Sequence, residues 1–140
     1  MKGSLDTSVL VQLVTGQRSE LVETVENFLN DTTNKFAIAD AALLEFVMVL
    51  EKIKQLPRKN IAILFEMLET RHTLSFNRKL FKSTMALYLK HPKLSFYDCY
   101  LSADAEIKSA TPLWTLDKKL AHQSSSAKLV EDLPGLFTTQ

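Results

Sequence analysis

Cysteine is nearly absent from this chain of 140 residues: one, Cys99, excludes an internal disulfide and any cysteine-rich zinc site. Glycine is almost as scarce, and with three in all there is no glycine-rich loop to cradle a nucleotide phosphate. The three histidines, His72, His91 and His122, stand too far apart for metal-ligand spacing. With thiolates and imidazoles set aside, any metal must be held by oxygen. No run approaches ~18 uncharged apolar residues, so no transmembrane helix is expected. Residues 1–14 (MKGSLDTSVLVQLV) lack the apolar stretch and small-residue cleavage site of a secretory leader. A soluble, cytoplasmic protein is the expectation.

What is present reads as a single ordinary domain over 1–140: 46% of the residues are apolar and 24% charged, enough to build a real core. The net charge of +1 conceals a segregation. Residues 1–51 carry 3 basic and 8 acidic side chains, residues 52–93 carry 10 and 2, and residues 94–140 carry 4 and 6. An acidic first third beside a basic middle suits a protein that gathers anionic ligands for a cation and meets a phosphate backbone, although solvated helices produce the same statistics.

Strand-like and helix-like segments alternate. A strand at 2–6 (KGSLD) leads to an apolar helix from Thr7 to a C-cap at Gly16, and a second helix runs from about Ser19 to Asn30. The run 35–39 (KFAIA) is β-like, and Asp40 is placed to cap an apolar helix ending before Pro57. Pro57 suits the first turn of a helix to about Glu69, and 72–76 (HTLSF) is a third strand. Asn77 is placed to cap a helix to His91, and Ser95 one over 96–109. Residues 112–116 (PLWTL) make a fourth strand, Asp117 opens a short helix, and a further strand is expected around Leu136 and Phe137. Such alternation implies a three-layer α/β/α sandwich with a central parallel sheet, in which ligands bind at the carboxyl ends of the strands.

Four carboxylates stand out against this pattern. Asp6 and Asp117 end the first and fourth strands, where that rule puts chemistry, although each could simply cap the helix that follows. Ser95 and Asp98 match a capping box with Asp in place of Glu. Glu45 is the only charge in 41–50 (AALLEFVMVL) and has no Lys or Arg three or four residues away, so burial would demand a cation or a shared proton. On its own helix Asp98 overlooks the small residues Ser102 and Ala105, with Phe96, Tyr100, Ala103 and Ile107 nearly opposite. If the four converged, each pair at ~4 Å would repel by roughly 4 kcal/mol at an effective dielectric of 20. Magnesium or manganese would relieve that repulsion.

The segments LDTSVL (5–10), LLEFVMVL (43–50), LSFYDCYLSADA (94–105) and PLWTLDKKL (112–120), in this order, resemble the PIN-domain ribonucleases, especially the VapC-like toxins of toxin–antitoxin pairs. The resemblance spans residues 2 to about 122, leaving 123–140 as a less defined tail. It implies a PIN-like fold and magnesium- or manganese-dependent RNA cleavage. Asp6, Glu45, Asp98 and Asp117 would be the acidic metal-binding and catalytic set, with Thr7 and Thr115 as polar support. The sequence departs from the family pattern at Cys99-Tyr100, and at Ser109-Ala110-Thr111, where a glycine is common.

The expected reaction is hydrolytic: a bound cation lowers the pKa of a water, orients it toward a phosphodiester and neutralises charge on the phosphate. In this scheme Asp6, Glu45 and Asp98 bind it directly, and Asp117 serves a second cation or its waters. A phosphoryl-transfer protein is disfavoured, because LDTSV has no second acid beside Asp6. A non-catalytic interaction module on the same fold is the alternative. Arg78, Lys79, Lys82 and Lys90 fall within about 120° of one helix and form a candidate RNA-binding stripe. Trp114 and Phe96 have faces able to stack on bases, although a Trp inside PLWTL is more often sheet packing. Ile61, Ile63, Leu64, Phe65, Met67 and Leu68 cover about 200° of their helix, and the preceding apolar helix adds to them. That excess points to a homodimer, with a groove for an amphipathic segment of an antitoxin.

Overall fold

The computed structural model describes residues 1–16 and 20–135. Its contacts divide the chain into two compact units, Met1–Arg78 and Lys79–Gln140.

The first unit is built on a three-stranded parallel sheet in the order β1 (Gly3–Ser4), β2 (Phe36–Ala37), β3 (Leu74–Ser75). Gly3 and Ser4 pair with Phe36 and Ala37, which pair in turn with Leu74 and Ser75. Parallel neighbours need crossovers. Helices α1 (Thr7–Thr15) and α2 (Glu20–Asn30) supply the first, and α3 (Asp40–Met48) and α4 (Arg58–Glu69) the second. The α3 helix runs on into a π-helical turn, Val49–Ile53. Its apolar stripe is read off the sequence at helical spacing: Leu43, Phe46, Val47 and Leu50 are fully buried, as are Ile61, Phe65 and Leu68 on α4. The Phe65 ring lies 6.3 Å from Phe46 and 6.2 Å from Phe76, both within the range of favourable aromatic pairs.

The second unit carries α5 (Arg78–Lys90, entered at the last residue of the first unit), α6 (Phe96–Ile107), β4 (Leu113–Thr115), α7 (Lys118–Gln123) and β5 (Ala127–Leu129). β4 and β5 pair in parallel, with Trp114 opposite Lys128, and a 3₁₀ turn, Val130–Asp132, follows. Tyr88 and Phe96 meet edge to face at 5.2 Å, and Phe81 lies 5.6 Å from Tyr100. Cys99, fully buried, is a small core residue. Among the described residues no helix is long and apolar enough to cross a membrane.

Local departures from the sequence reading have physical causes. Ala39, not Asp40, is the N-cap of α3 and offers no side-chain acceptor; Asp40 stands in the first turn, where its charge still complements the helix dipole. Pro57 is an N-cap in extended conformation rather than the first helical residue. Among the described residues the last strand is β5, a short run on which alternation gives no signal, and the strand expected around Leu136 and Phe137 lies outside the described residues, as does the start of the second helix at Ser19.

Candidate metal and nucleic-acid site

Asp6 and Asp117 occupy equivalent stations, each two residues beyond a parallel strand and each the N-cap of the next helix. Asp6 Oδ1 accepts from the Ser8 amide at 2.7 Å and the Ser8 hydroxyl at 2.6 Å. Asp117 Oδ1 accepts from the amides of Lys119 and Leu120 at 2.9 and 3.2 Å. Both residues are exposed. The Ser8 hydroxyl, and after it the Ser8 amide, hold the Asp6 carboxyl below its ordinary range against a slight opposing desolvation. The same turn recurs at Asp31, which accepts from the Thr33 hydroxyl and amide at 2.7 and 3.0 Å and is lowered for the same reason. A depressed value at Asp6 is therefore turn chemistry and does not by itself mark a site.

Thr7 and Thr115 support these caps. The buried Thr7 hydroxyl donates to the Ala42 carbonyl at 3.0 Å, tying the start of α1 to α3 three residues before Glu45. Thr115 Oγ1 accepts from the Asp117 amide at 3.0 Å and so shapes the turn that presents Asp117.

Glu45 is not buried, contrary to what its apolar neighbours in sequence suggest. It is exposed, on the side of α3 that carries exposed Met48, while the apolar stripe of the helix turns inward. Its charge is solvated, so no burial penalty demands a cation. Asp98 is half-buried in the first turn of α6, and its amide donates to the Ser95 hydroxyl at 3.0 Å, one arm of the expected capping box. The small residues beside it are not vacant space: Ser102 and Ala105 are buried, and Ser102 accepts a hydrogen bond from the Ser124 hydroxyl at 3.0 Å. Ile107, placed on the core face by periodicity, is exposed instead. Among the described residues none of the four acids is in an ion pair, and no three His, Cys, Asp or Glu side chains are grouped closely enough to hold a metal ion. The four are hard oxygen donors, a chemistry that suits magnesium or manganese; Asp6 and Glu45 belong to the first unit, Asp98 and Asp117 to the second.

On α5 the buried residues are Leu80, Phe81, Thr84, Met85 and Tyr88, and Lys79, Lys82 and Lys90 are exposed on the other side. Arg78 differs from these lysines. Its guanidinium donates to the carbonyls of Glu69 (3.1 Å) and Arg71 (2.7 Å) and lies 4.5 Å over the Phe76 ring, so it closes the end of α4. The helix reading could not separate it, because those carbonyls lie seven and nine residues upstream. The excess apolar surface of α4 also divides: Phe65 is fully buried, whereas Ile63 is 62% and Met67 43% exposed.

The PIN-domain family model matches residues 4–124. The chain belongs to the PIN-domain family and has its α/β fold, which is generally a nuclease fold whose members usually employ divalent metals. Among solved structures, the crystal structure of PAE2754 from Pyrobaculum aerophilum is similar at 21% identity over 94% of this chain and 90% of that one, with a TM-score of 0.35, and adds nothing to the family assignment. No curated protein matches.

Proposed function

We propose that this protein is a metal-dependent endoribonuclease that hydrolyses RNA phosphodiesters, with Asp6, Glu45, Asp98 and Asp117 as its acidic set. The observation that carries the reading is the placement of Asp6 and Asp117: in a PIN-family chain, both stand exposed just past parallel strands, at the strand ends where ligands bind. The family match runs through both units, which supports treating them as one PIN domain. When bound, Mg2+ or Mn2+ would supply an acidified water and charge neutralisation at the phosphate. The chain's own part is to offer oxygen donors, two of which are held in place, Asp6 by Ser8 and Asp117 by the amides of Lys119 and Leu120, with Thr7 and Thr115 bracing the backbone around them.

The experiment is RNA cleavage with manganese or magnesium, before and after chelation, for wild type, Asp6→Asn and Asp98→Asn. Asn caps a helix about as well as Asp, so Asp6→Asn should fold normally and lose activity on the order of 100-fold, the scale of removing one electrostatic contributor. Wild-type cleavage by Asp6→Asn sinks the assignment. The alternative is a non-catalytic PIN-fold interaction module; a chain that folds and cleaves nothing in either metal would be that module.

The same reading extends to partners: a toxin of a toxin–antitoxin pair, active as a homodimer and held by an antitoxin protein. Support comes from the apolar side chains that α3, its π-helical turn and α4 leave in solvent: Met48, Ile53, Ile63 and Met67, exposed at 54, 71, 62 and 43%. Because Phe65 belongs to the core, the dimer is tested at Ile63→Glu and Met67→Glu by light scattering. A monomeric wild type overturns it.

A further inference from the structure

The second unit contains an open cleft of about 760 Å³ that the acidic set does not touch. One wall is the paired strands, where Trp114 and Lys128 are register partners on β4 and β5. Side chains of paired residues stand side by side on one face of a sheet. The other wall is α7, whose Lys118, Ala121 and His122 share a helical face at a spacing of three and four. Trp114 is 37% exposed, so the sheet does not consume its ring. Lys118 and Lys128 are exposed, and among the described residues no ion pair engages either. One acid, Asp132, closes the rim.

We propose that this cleft is a subsite for an unpaired nucleotide of single-stranded RNA, with the base stacked on Trp114 and the flanking phosphates met by Lys128 and Lys118. An indole face between ammonium groups offers what such binding needs, a sequence-tolerant platform within a positive groove. The volume suits one nucleotide. A base within a duplex has no free face to stack, so the subsite selects single strands. The identity of the ligand rests on the ribonuclease reading; the cleft itself does not.

Trp114 is the only tryptophan, so its emission reports this site alone. The full chain is titrated in EDTA, where metal-dependent cleavage is silent, with an eight-nucleotide oligo(A) RNA, the same strand in a duplex, and polyglutamate. Saturable quenching by the single strand is expected, weakened ~10-fold or more by Lys128→Glu, a surface change that leaves the core intact. By anisotropy of labelled RNA, Trp114→Leu should lose ~10-fold in affinity and Trp114→Phe should retain most of it. Absent quenching, equal quenching by polyglutamate or the duplex, or affinity unmoved by Lys128→Glu overturns the subsite. If quenching fails while the wild type cleaves RNA in manganese, the cleft is wrong and the nuclease reading stands. If quenching holds in a chain that never cleaves, the nuclease reading falls and the subsite remains.

Discussion

The two units of this chain repeat one device and spend the rest of their surface differently. Each ends a parallel strand, turns through a capping aspartate, and ties the helix that follows to a second, acid-bearing helix by a buried hydroxyl, at the start of that helix in the first unit and just past its end in the second. In the first unit the link is Thr7 to Ala42; in the second it is Ser124 to Ser102. Beyond that device they diverge. In Met1–Arg78, Arg71 pairs with Glu26 at 2.8 Å and Arg78 closes α4, while Met48, Ile53 and Ile63 stand in solvent. In Lys79–Gln140 Lys79, Lys82, Lys90, Lys118 and Lys128 are exposed, Trp114 is 37% exposed opposite Lys128 on the paired strands, and Leu89, Tyr97 and Leu116 also stand in solvent. The boundary between the units therefore cuts through the basic block of residues 52–93: Arg71 and Arg78 are engaged on one side, and among the described residues no ion pair engages Lys79, Lys82 or Lys90 on the other. Sign of charge alone does not define a binding surface; what each cation touches does.

The largest expected effect tests whether the two units are thermodynamically separate. Phe65 and Phe81 are each fully buried, one in each unit, and truncating a buried Phe to Ala costs about 3–5 kcal/mol. If the family's span across both units reflects one cooperative domain, Phe65→Ala and Phe81→Ala should each shift a single denaturation transition seen equally by circular dichroism and by Trp114 fluorescence. Two transitions, with Phe65→Ala moving only the one that Trp114 does not report, would establish two independent units.

A smaller effect separates the solvated lysines from the engaged arginines. Each phosphate contact on a single strand contributes about 0.7 to the slope of log affinity against log salt. Lys79→Glu with Lys82→Glu should lower that slope by roughly 1.4 if each lysine meets one phosphate. Arg78→Gln should leave the slope nearly unchanged and reduce stability instead, through the carbonyls of Glu69 and Arg71. An unchanged slope in the double lysine variant would reduce the α5 stripe to solvated surface.

The third effect is confined to one group. The Ser8 hydroxyl is the largest cause of the lowered Asp6 carboxyl, so Ser8→Ala should move its titration toward the ordinary value, 3.8, as read by carboxyl NMR. The sign follows: a carboxyl depressed on folding contributes stability above its unfolded value, and that contribution is lost as pH falls through the folded one. Asp31, with Thr33 in place of Ser8, should not move in the Ser8 variant. If Asp6 stays where it was, the hydroxyl is not its controlling partner.

Much of this was legible before the structure. The strands and helices followed from alternation and caps, because Gly16, Ser95 and Asp117 carry local signals that act within a few residues. The inward stripe of α3 is equally readable, but an apolar neighbourhood in sequence does not bury Glu45: Leu43, Phe46 and Val47 face the core and leave it on the opposite side. Three features had no local signal. The carbonyl partners of Arg78 lie upstream beyond helical reach, β5 is a three-residue strand defined by its partner β4, and the cleft around Trp114 is made by elements that only tertiary structure brings together.

The smallest effect compares the two units at a single backbone conformation. α1 ends at Gly16 with φ 71°, and α6 is followed by Ser109 with φ 53°. At Ser109 the left-handed residue closes a Schellman motif: its amide donates to the Glu106 carbonyl at 3.0 Å, and the Ala110 amide to the Ala105 carbonyl at 2.8 Å. Glycine adopts this conformation without a Cβ penalty, whereas other residues pay roughly 1–2 kcal/mol. A Cβ at Gly16 would meet nothing within 4 Å, so Gly16→Ala isolates the backbone term and should cost about 1 kcal/mol, or ~3 °C in Tm. Ser109→Gly relieves the same strain, but the freer unfolded chain takes back part of the gain, so a net stabilisation of a few tenths to about 1 kcal/mol is expected. The two substitutions should thus move Tm in opposite directions. A Ser109→Gly variant no more stable than the wild type would mean that the serine side chain contributes an interaction equal to the strain it carries.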